Sequence, residues 1–445
     1  MGKEEIELLP SGLVSCIIDG MEVRILKISP EKLAVRFSSR GEEIKDIKLA
    51  FYIFDEYRYE EMGIMNFNLE QIKEERFYFE YVFHIDDKHY SENVRKIFMD
   101  YSRYIMLKSY GDENEFSHEM VGYPADKDYD FYEYYSNQKK EWMSEVGDKS
   151  HSPLMEYVEL ALKIDNDTLW RKYLEKDIRN FKEYYLKENH AENNELFKND
   201  VSRLYIGNEF CHNLFPKLNI LIKMLNKALY ENLEVTLCFT YMRDCYIEKT
   251  AQIIDEVHKW CIINNKKIEI VINDWGMLKL LQDKKDAFRL ILGVLLNKRK
   301  KDPRYMYKKG YVESKKMMAQ NNLNIEQFRN FLKENGIQRY EYESCGYRMS
   351  IAEGNHSLHM PFYVANTSQY CTLYAMCTNL DRGKQKLVKS CPEYCRDYIF
   401  AYPKHLKMVG KYNSLFAFDD TLLKDLNLMD YYAKNGIDRI VLNFI

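Results

Sequence analysis

The fold of this chain is decided by the stretch Leu204-Tyr205-Ile206-Gly207-Asn208-Glu209-Phe210-Cys211. Its first residues are typical of a short buried strand, and polar residues and a cysteine follow directly where that strand would end. Short buried strands recur through the second half of the chain, several of them followed by polar side chains. They are found at residues 235–239, 268–272, 289–295, 340–342, 361–365 and 438–442.

Helical segments, such as residues 218–230 and 247–264, separate these strands. Strands that alternate with helices at this spacing predict a parallel sheet, and seven or eight repeats fit a closed barrel better than an open sheet. We therefore predict an α/β fold with a TIM-like (β/α) barrel over residues 201–445. In such barrels the reacting groups lie at the carboxyl ends of the strands.

Residues 1–110 follow a different pattern, which predicts a small β-barrel. Leu13–Ile18 and Met21–Leu26 flank Asp19-Gly20, a two-residue hairpin signal. Strand-like runs at 33–37, 47–54 and 76–84 precede apolar residues at helical spacing from Tyr90 to Lys108.

Residues 111–200 are predicted to be a connector between the two domains. An acidic, aromatic segment comes first, and a helical tract beginning at Ser152-Pro153 follows it. This tract carries one apolar stripe, formed by Leu169, Tyr173, Ile178, Phe181 and Tyr185.

Composition and charge describe an ordinary globular protein of more than one domain. The 445 residues are 46% hydrophobic and 30% charged, with a formal net charge of −4. This charge argues against nucleic-acid binding by the whole surface. The acidic start lacks the apolar run of a signal peptide, and the longest apolar run, near 290–296, is too short to span a bilayer. We expect a cytoplasmic protein with no membrane partner, in which thiols stay reduced.

Four of the ten cysteines lie close together near the end of the sequence: Cys371, Cys377, Cys391 and Cys395. Clustered thiols in a reducing compartment indicate metal or redox chemistry. Cys211 follows a predicted barrel strand, so its thiol should reach the same face of the barrel. Thiolates from an early and a late loop suit a 4Fe-4S cluster or a structural zinc ion, and their uneven spacing favours the cluster. The alternative is a set of ordinary buried cysteines.

Further landmarks make the second half similar to a known family. They are Ile272-Asn273-Asp274-Trp275-Gly276, Leu292–Lys298, Lys301-Asp302-Pro303-Arg304 and Ser357-Leu358-His359-Met360-Pro361. Together with the opening stretch and Cys391-x-x-x-Cys395, they resemble the collagenase-like peptidase family U thirty-two over about residues 200–445. The resemblance implies that Cys211, Cys371, Cys391 and Cys395 bind a 4Fe-4S cluster. The interval before Cys391 is longer than in the family. Its length favours Cys377 as a substitute ligand, whereas the preceding strand favours Cys371.

The resemblance also implies a function. Several family members resemble iron–sulfur proteins of oxygen-independent hydroxylation, acting on ubiquinone precursors or RNA bases. The leading prediction is therefore an iron–sulfur enzyme that modifies a small-molecule, RNA or peptide substrate. A collagenase-like peptidase is the first alternative, although the sequence has neither His-Glu-x-x-His nor Gly-x-Ser-x-Gly. A non-catalytic iron–sulfur scaffold or partner protein is the second.

Polar residues at the predicted strand ends are the candidates for chemistry. The predicted acid–base residues are Glu209, Asp274 and His359, with His212 and His356 as further candidates. Asp274 fits the cap of a helix equally well. The basic run at 297–304 predicts an anionic substrate, a carboxylate metabolite or a nucleic-acid backbone, with a solvated loop as the alternative. Its binding residues would be Arg304, Lys298 and Arg299, with Trp275 beside Asp274.

The first 110 residues resemble a PilZ domain. Lys27-Ile28-Ser29-Pro30-Glu31-Lys32 stands where that family has an Asp/Asn-x-Ser-x-x-Gly turn, but no Arg-x-x-x-Arg precedes it. Those arginines would pair with the phosphates of a cyclic dinucleotide, so we do not expect such a ligand. The resemblance implies instead a module that packs against or docks a protein partner.

Overall fold

A computed structural model describes residues 6–7, 13–40, 44–53, 56, 58–110, 132–144, 157–301, 318–379, 383–402 and 406–445. They belong to two compact units. The first contains the described residues up to Tyr110, and the second contains nearly all of those from Tyr132 onward.

The first unit is an antiparallel sheet that packs on a helix. The sheet order is β6-β5-β2-β3-β4-β8-β7, with β1 beside β3. Asp19 and Gly20, with φ values of 47° and 79°, form the turn of the β2–β3 hairpin. The predicted hairpin and the predicted helix are thus confirmed. The elements are β1 Ile6–Glu7, β2 Val14–Ile18, β3 Met21–Ile28, β4 Lys32–Phe37, β5 Ile47–Ile53, β6 Arg58–Ile64, β7 Phe67–Glu74, β8 Phe79–Ile85 and α1 Lys88–Tyr110.

This sheet is strongly curved. Strands β6 and β7 are its edges within the described residues, yet only two residues separate Ile64 from Phe67. Such a connection spans at most roughly 10 Å, so the two edges approach each other at this end. Tyr90 of α1 donates to the carbonyl of Ser29 at 2.9 Å, which ties the PilZ-like turn to the helix. The shape approaches the predicted small β-barrel, although no described pairing between β6 and β7 closes it.

The second unit is built around a closed barrel of eight parallel strands, which confirms the predicted parallel barrel. The strands follow one another around the barrel in chain order, as single β/α crossovers require. They are β9 Glu159–Ile164, β10 Val201–Gly207, β11 Glu234–Cys238, β12 Ile268–Ile272, β13 Phe288–Leu292, β14 Arg339–Glu343, β15 His356–Met360 and β20 Ile437–Leu442.

Helices pack their apolar faces on the outside of these strands, as Leu221, Met224 and Leu225 of α5 do. The first helix, α2, precedes β9. The described helices of this unit are α2 Tyr132–Ser144, α3 Asp167–Glu175, α4 Ile178–Glu188, α5 Leu218–Tyr230, α6 Ile247–Ile263, α7 Trp275–Leu281, α8 Glu326–Glu334, α9 Thr372–Asn379, α10 Thr421–Lys424 and α11 Leu426–Lys434. None of the helices that the structure describes is long and apolar enough to cross a membrane.

The barrel begins earlier than predicted, because β9 lies within the range assigned to the connector. The predicted apolar stripe belongs to two helices rather than one. They are separated at Lys176 and Asp177, and the Asp177 side chain caps α4. The predicted start of this tract, Ser152-Pro153, lies outside the described residues.

A second correction concerns residues 361–365, which are not a barrel strand. The barrel position is held by β15, where Ser357 and His359 reach polar groups of the barrel interior. The next strand belongs to a four-stranded antiparallel sheet in the order β16-β19-β18-β17. Its strands are β16 Phe362–Thr367, β17 Phe400–Ala401, β18 Met408–Lys411 and β19 Ser414–Phe418.

Candidate functional site

The interior of the barrel carries charged side chains, where most such barrels have branched apolar ones. In the half nearer the amino ends of the strands, Arg439 donates to Glu269 at 2.7 and 3.1 Å and to Glu159 at 2.5 Å. Arg203 lies 2.8 Å from Glu159 and 3.0 Å from Glu269. Two arginines and two glutamates therefore form one ionic network.

Charge pairing controls the ionisation of this network. Burial by itself would raise the pKa of Glu269, but the charges of Arg439 and Arg203 outweigh burial and hold that pKa below its usual value. The pKa of Glu159 is lowered in the same way. Both glutamates are thus held as carboxylates inside the barrel.

A hydrogen-bonded histidine lies in the next layer. His359 Nε2 is 2.6 Å from Glu341 Oε2, and the other oxygen of Glu341 accepts a bond of 2.9 Å from the Tyr205 hydroxyl. Arg439 donates to the same hydroxyl at 3.0 Å. His359 and Glu341 are 1% and 0% exposed, so this chain of polar groups is shielded from solvent. The structure places the predicted His359 inside the barrel and adds Glu341 as its partner.

At the carboxyl ends of the strands, Lys163 of β9 forms a buried ion pair with Glu209. Asn273 donates to Glu209 at 3.4 Å and to the carbonyl of Phe239 at 3.1 Å. Burial alone would raise the pKa of Glu209, but Lys163 and then His359 more than offset it, so the pKa is lowered. The predicted Glu209 therefore has a fixed ammonium partner, and His359 is close enough to act on its charge.

Asp274 and Trp275 lie apart from this group. The Asp274 side chain accepts from the Gly276 backbone at 2.6 Å and caps α7, the alternative role that the sequence allowed. Trp275 is 38% exposed and packs against Phe331, with ring centroids 5.2 Å apart. The residue of this loop that reaches Glu209 is Asn273.

Only part of the basic run at 297–304 is exposed and available to a ligand. Lys298 is exposed, but Arg299 donates to the backbone carbonyl of Glu343, and Lys301 forms an ion pair with the Glu343 carboxylate. Arg304 lies outside the described residues. Among the described members of the run, Glu343 thus neutralises part of the charge that predicted an anionic substrate.

His356 is a structural residue of the barrel wall. Its ring stacks on Tyr340, its Nδ1 accepts from the Tyr340 backbone at 3.2 Å, and its Nε2 lies 3.1 Å from the carbonyl of Ala352. Burial lowers the pKa of His356 to about 4, so the ring is neutral at pH 7.

Four cysteines meet beyond the carboxyl end of β10. Cys211, Cys371, Cys391 and Cys395 line one small cavity, whose other walls include Leu214, Leu373 and Val388. Cys377, on α9, is not among the described residues that line this cavity, although it is close enough to Cys371 to influence that thiol. Two segments far apart in the sequence are therefore brought together.

Hydrogen bonds connect these cysteines to the end of the barrel. The side chain of Asn208 accepts from the backbone N–H of Cys211 at 2.9 Å, which fixes the turn after β10. The Cys371 thiol donates to the carbonyl of Tyr412 at 3.1 Å. Tyr412 in turn donates to Asp165, directly after β9, at 3.3 Å. The cysteine site is thus connected by hydrogen bonds to the residues that directly follow β9 and β10.

Burial raises the pKa of Cys211 to about 12 and that of Cys371 to about 11. It also raises the pKa of Cys395, and neighbouring thiols add to the effect. These thiols are therefore protonated at neutral pH unless a nearby cation stabilises their thiolates. Within the described residues, no three or more His, Cys, Asp or Glu side chains are arranged to hold a metal ion.

Lys163, Glu341 and Asn273 were not predicted as site residues. Lys163 lies in the range assigned to the connector, and Glu341 lies in a strand read as wholly buried. Lys163 and Glu341 could have been found as charged residues inside otherwise apolar strands, because a buried charge needs a partner.

Comparison with known proteins gives no assignment. No protein-family model matches the sequence, and no curated protein does either. A solved structure of an uncharacterized Legionella protein is 15% identical and covers 24% of this chain and 98% of that chain, with a TM-score of 0.17. A similarity at this level supports no conclusion about fold or function.

Proposed function

We propose that Cys211, Cys371, Cys391 and Cys395 hold a 4Fe-4S cluster and that this protein is an iron–sulfur enzyme that modifies its substrate at the carboxyl end of the barrel. The observation that carries the proposal is that these four thiols line one cavity. The choice of Cys371 over Cys377 is supported by the same cavity. The barrel would then be of the TIM-like class, and the curved sheet of the first unit a PilZ-like module that docks a protein partner.

The donor set suits a cluster better than a single ion. Four thiolates on one zinc ion would lie roughly 3.8 Å from one another, given Zn–S bonds of about 2.3 Å. In a cluster each thiolate binds a different iron, so the sulfur atoms are farther apart. All four donors are cysteine thiols that line one cavity, and their uneven spacing along the sequence favours the cluster. When bound, the cluster would supply redox or electrophilic chemistry.

The barrel residues would handle protons. Glu209, held as a carboxylate by Lys163, can accept a proton, and the Glu341–His359 pair lies behind it in the interior. We propose Glu209 and His359 as the acid–base residues and Asn273 as the group that orients Glu209. Asp274 is less suited to an acid–base role because its carboxylate already caps a helix. The leading reaction is hydroxylation with an oxygen donor other than O₂, on a small-molecule, RNA or peptide substrate.

Cluster content tests the ligand assignment. We expect protein purified without oxygen to contain about four iron and four sulfide per chain. Cys391→Ala should lose most of the iron and the visible absorption, because one corner of the cluster loses its ligand. Cys377→Ala is the matched control and should keep both. Full iron content in Cys391→Ala, or loss in Cys377→Ala with retention in Cys371→Ala, would contradict the assignment.

The modification reaction needs a separate test. RNA nucleosides and small metabolites from a deletion strain would be compared by mass spectrometry after complementation with wild-type protein, Cys391→Ala or Glu209→Gln. We expect a product that is 16 Da heavier only with the wild-type protein, since one oxygen atom is added. Glu209→Gln should keep its iron but lose the product.

One feature favours the scaffold alternative. Four cysteine ligands leave no iron position open for a substrate. A cluster-loaded protein whose deletion changes no product would therefore indicate a scaffold. A metal-free protein that cleaves collagen-like peptides would indicate a peptidase.

A further inference from the structure

A second cavity lies on the other side of the turn that carries Cys211. It is bounded by the residues after β10 and β11 and by the first turns of α6. Its lining residues include His212, Phe215, Phe239, Thr240, Tyr246 and Lys249. It shares no described lining residue with the cysteine cavity.

Two buried polar atoms of this cavity lack a hydrogen-bond partner among the residues that the structure describes. They are the Oγ1 atom of Thr240 and the Nε2 atom of His212. Thr240 is only 6% exposed. A buried polar group without a partner is costly, and nearly all such groups in proteins find one. Both groups are therefore free to bond to a ligand in the cavity they line.

The walls around these two atoms are aromatic or apolar. The His212 ring stacks on Tyr246, with centroids 4.3 Å apart, and Phe215 stacks on Phe239 at 4.6 Å. Stacking holds the imidazole in one orientation, so its nitrogen is a fixed donor or acceptor. A ligand here would place a polar end against Thr240 and His212 and a carbon body against the rings.

The size of the cavity limits that polar end. Its volume is about 30 Å³. A water molecule needs roughly 10–15 Å³ by the same measure, so there is room for about two oxygen atoms. This is the requirement of one carboxylate group.

The local charge is positive. Lys249 lines the cavity, and no acidic residue does so among those described. A lysine ammonium near two buried polar atoms that lack partners among the described residues favours an anion, so the polar end of the ligand should be negatively charged.

We propose that this cavity binds the carboxylate of a small organic acid. The Thr240 hydroxyl and the His212 Nε2–H donate to its two oxygens, and Lys249 supplies the opposite charge. The site stands on its own geometry and does not require the cluster. If the proposed function also holds, the acid is a substrate or co-substrate bound next to Cys211, the residue before His212.

Binding of propionate to the full-length protein tests the site. Saturation-transfer NMR would compare propionate with propanamide, a neutral molecule of nearly the same shape. We expect propionate to bind and the amide to bind at least ten times more weakly. No propionate binding, or equal binding of the two, would overturn the proposal, the second because a neutral or water-filled site would not distinguish them.

Variants locate the binding. Thr240→Val keeps the shape of the side chain and should weaken propionate binding about tenfold, and Lys249→Met should do the same. Thr421→Val, on α10, is the matched control and should bind as the wild type does. Unchanged binding in both Thr240→Val and Lys249→Met would overturn the proposal.

Stability separates a ligand site from a structural hydrogen bond. Because the Thr240 hydroxyl has no partner among the described residues, Thr240→Val should leave the melting temperature unchanged or raise it when propionate is absent. A clear decrease would mean that the hydroxyl has a structural partner, which contradicts the proposal. Iron analysis of the same samples would show whether the cluster proposal fails independently.

Discussion

Arg439 shows what a single residue contributes to this barrel. It is 2% exposed and bonds to Glu269, Glu159 and the hydroxyl of Tyr205. The cost of taking these charges out of water is offset only while all partners are present. Arg439 therefore connects the ionic network to the layer that contains His359.

Replacing Arg439 with methionine tests this role. Since the change leaves the buried carboxylate of Glu269 and the partly exposed one of Glu159 with Arg203 alone, we expect a loss of about 3–5 kcal/mol in the free energy of unfolding. Arg339→Met is the control, because Arg339 pairs with the more exposed Asp438 at 2.7 Å. Urea unfolding followed by circular dichroism measures both. Equal losses of unfolding free energy in the two variants would show that burial does not increase the contribution of the Arg439 ion pairs.

The same network predicts a dependence on pH. The pKa values of Glu159 and Glu269 are lowered in the folded protein, so the folded state binds fewer protons than the unfolded chain. The resulting stability is fully present above the unfolded pKa, about 4.3, and is lost as the pH falls through the folded values. In Arg439→Met the decrease in unfolding free energy between pH 6 and pH 3 should be smaller than in the wild type.

At the scale of elements, the decisive feature is the end of β10. Gly207 has a φ of 117°, which side chains rarely tolerate, and a Cβ atom there would lie 2.4 Å from the carbonyl oxygen of Cys238 on β11. The close approach of β10 and β11 directs the next residues, Asn208 to Cys211, away from the strand. One strand end thus supplies both Glu209 and Cys211, the proposed cluster ligand.

Gly207→Ala should disturb that strand end. We expect a loss of at least about 2 kcal/mol in unfolding free energy, since both the backbone conformation and the contact are unfavourable. We also expect lower iron content, because Cys211 would move. Gly63→Ala, where a Cβ atom meets nothing within 4 Å, is the control. Wild-type stability and iron content in Gly207→Ala would show that the turn tolerates a side chain.

At the scale of the whole molecule, the two units have separate hydrophobic cores. One contains Leu33, Phe51 and Phe83 of the curved sheet, and the other is formed by the barrel strands and their helices. The cysteines and the ionic network all belong to the second unit. Each core can therefore be considered a folding unit of its own.

A chain that begins at Tyr132 should keep the barrel and its chemistry. We expect the same iron content per chain as in the full-length protein and one cooperative thermal transition, since the barrel core remains complete. The measurements are iron analysis and differential scanning calorimetry. Loss of iron or of cooperativity on removing the preceding residues would show that the barrel depends on the first unit.

Local features of the fold could be predicted from the amino-acid sequence. Asp19-Gly20 specified a hairpin because few residues adopt its turn, and strand–helix alternation specified a parallel barrel. The ends of strands marked the region of the site, including Glu209 and Cys211, because a buried strand must stop where polar residues begin.

The contacts between side chains could not be predicted, because they depend on how the strands pair. Strand pairing closed the barrel through β9 and so brought Lys163 to Glu209. It turned Asn273 rather than Asp274 toward that pair, and it placed Glu341 beside His359. Four cysteines from two distant segments came to one cavity by the same closure. Neighbours along a chain fix local conformation, whereas the direction of a side chain in a barrel depends on strand register, which residues far away in the sequence set.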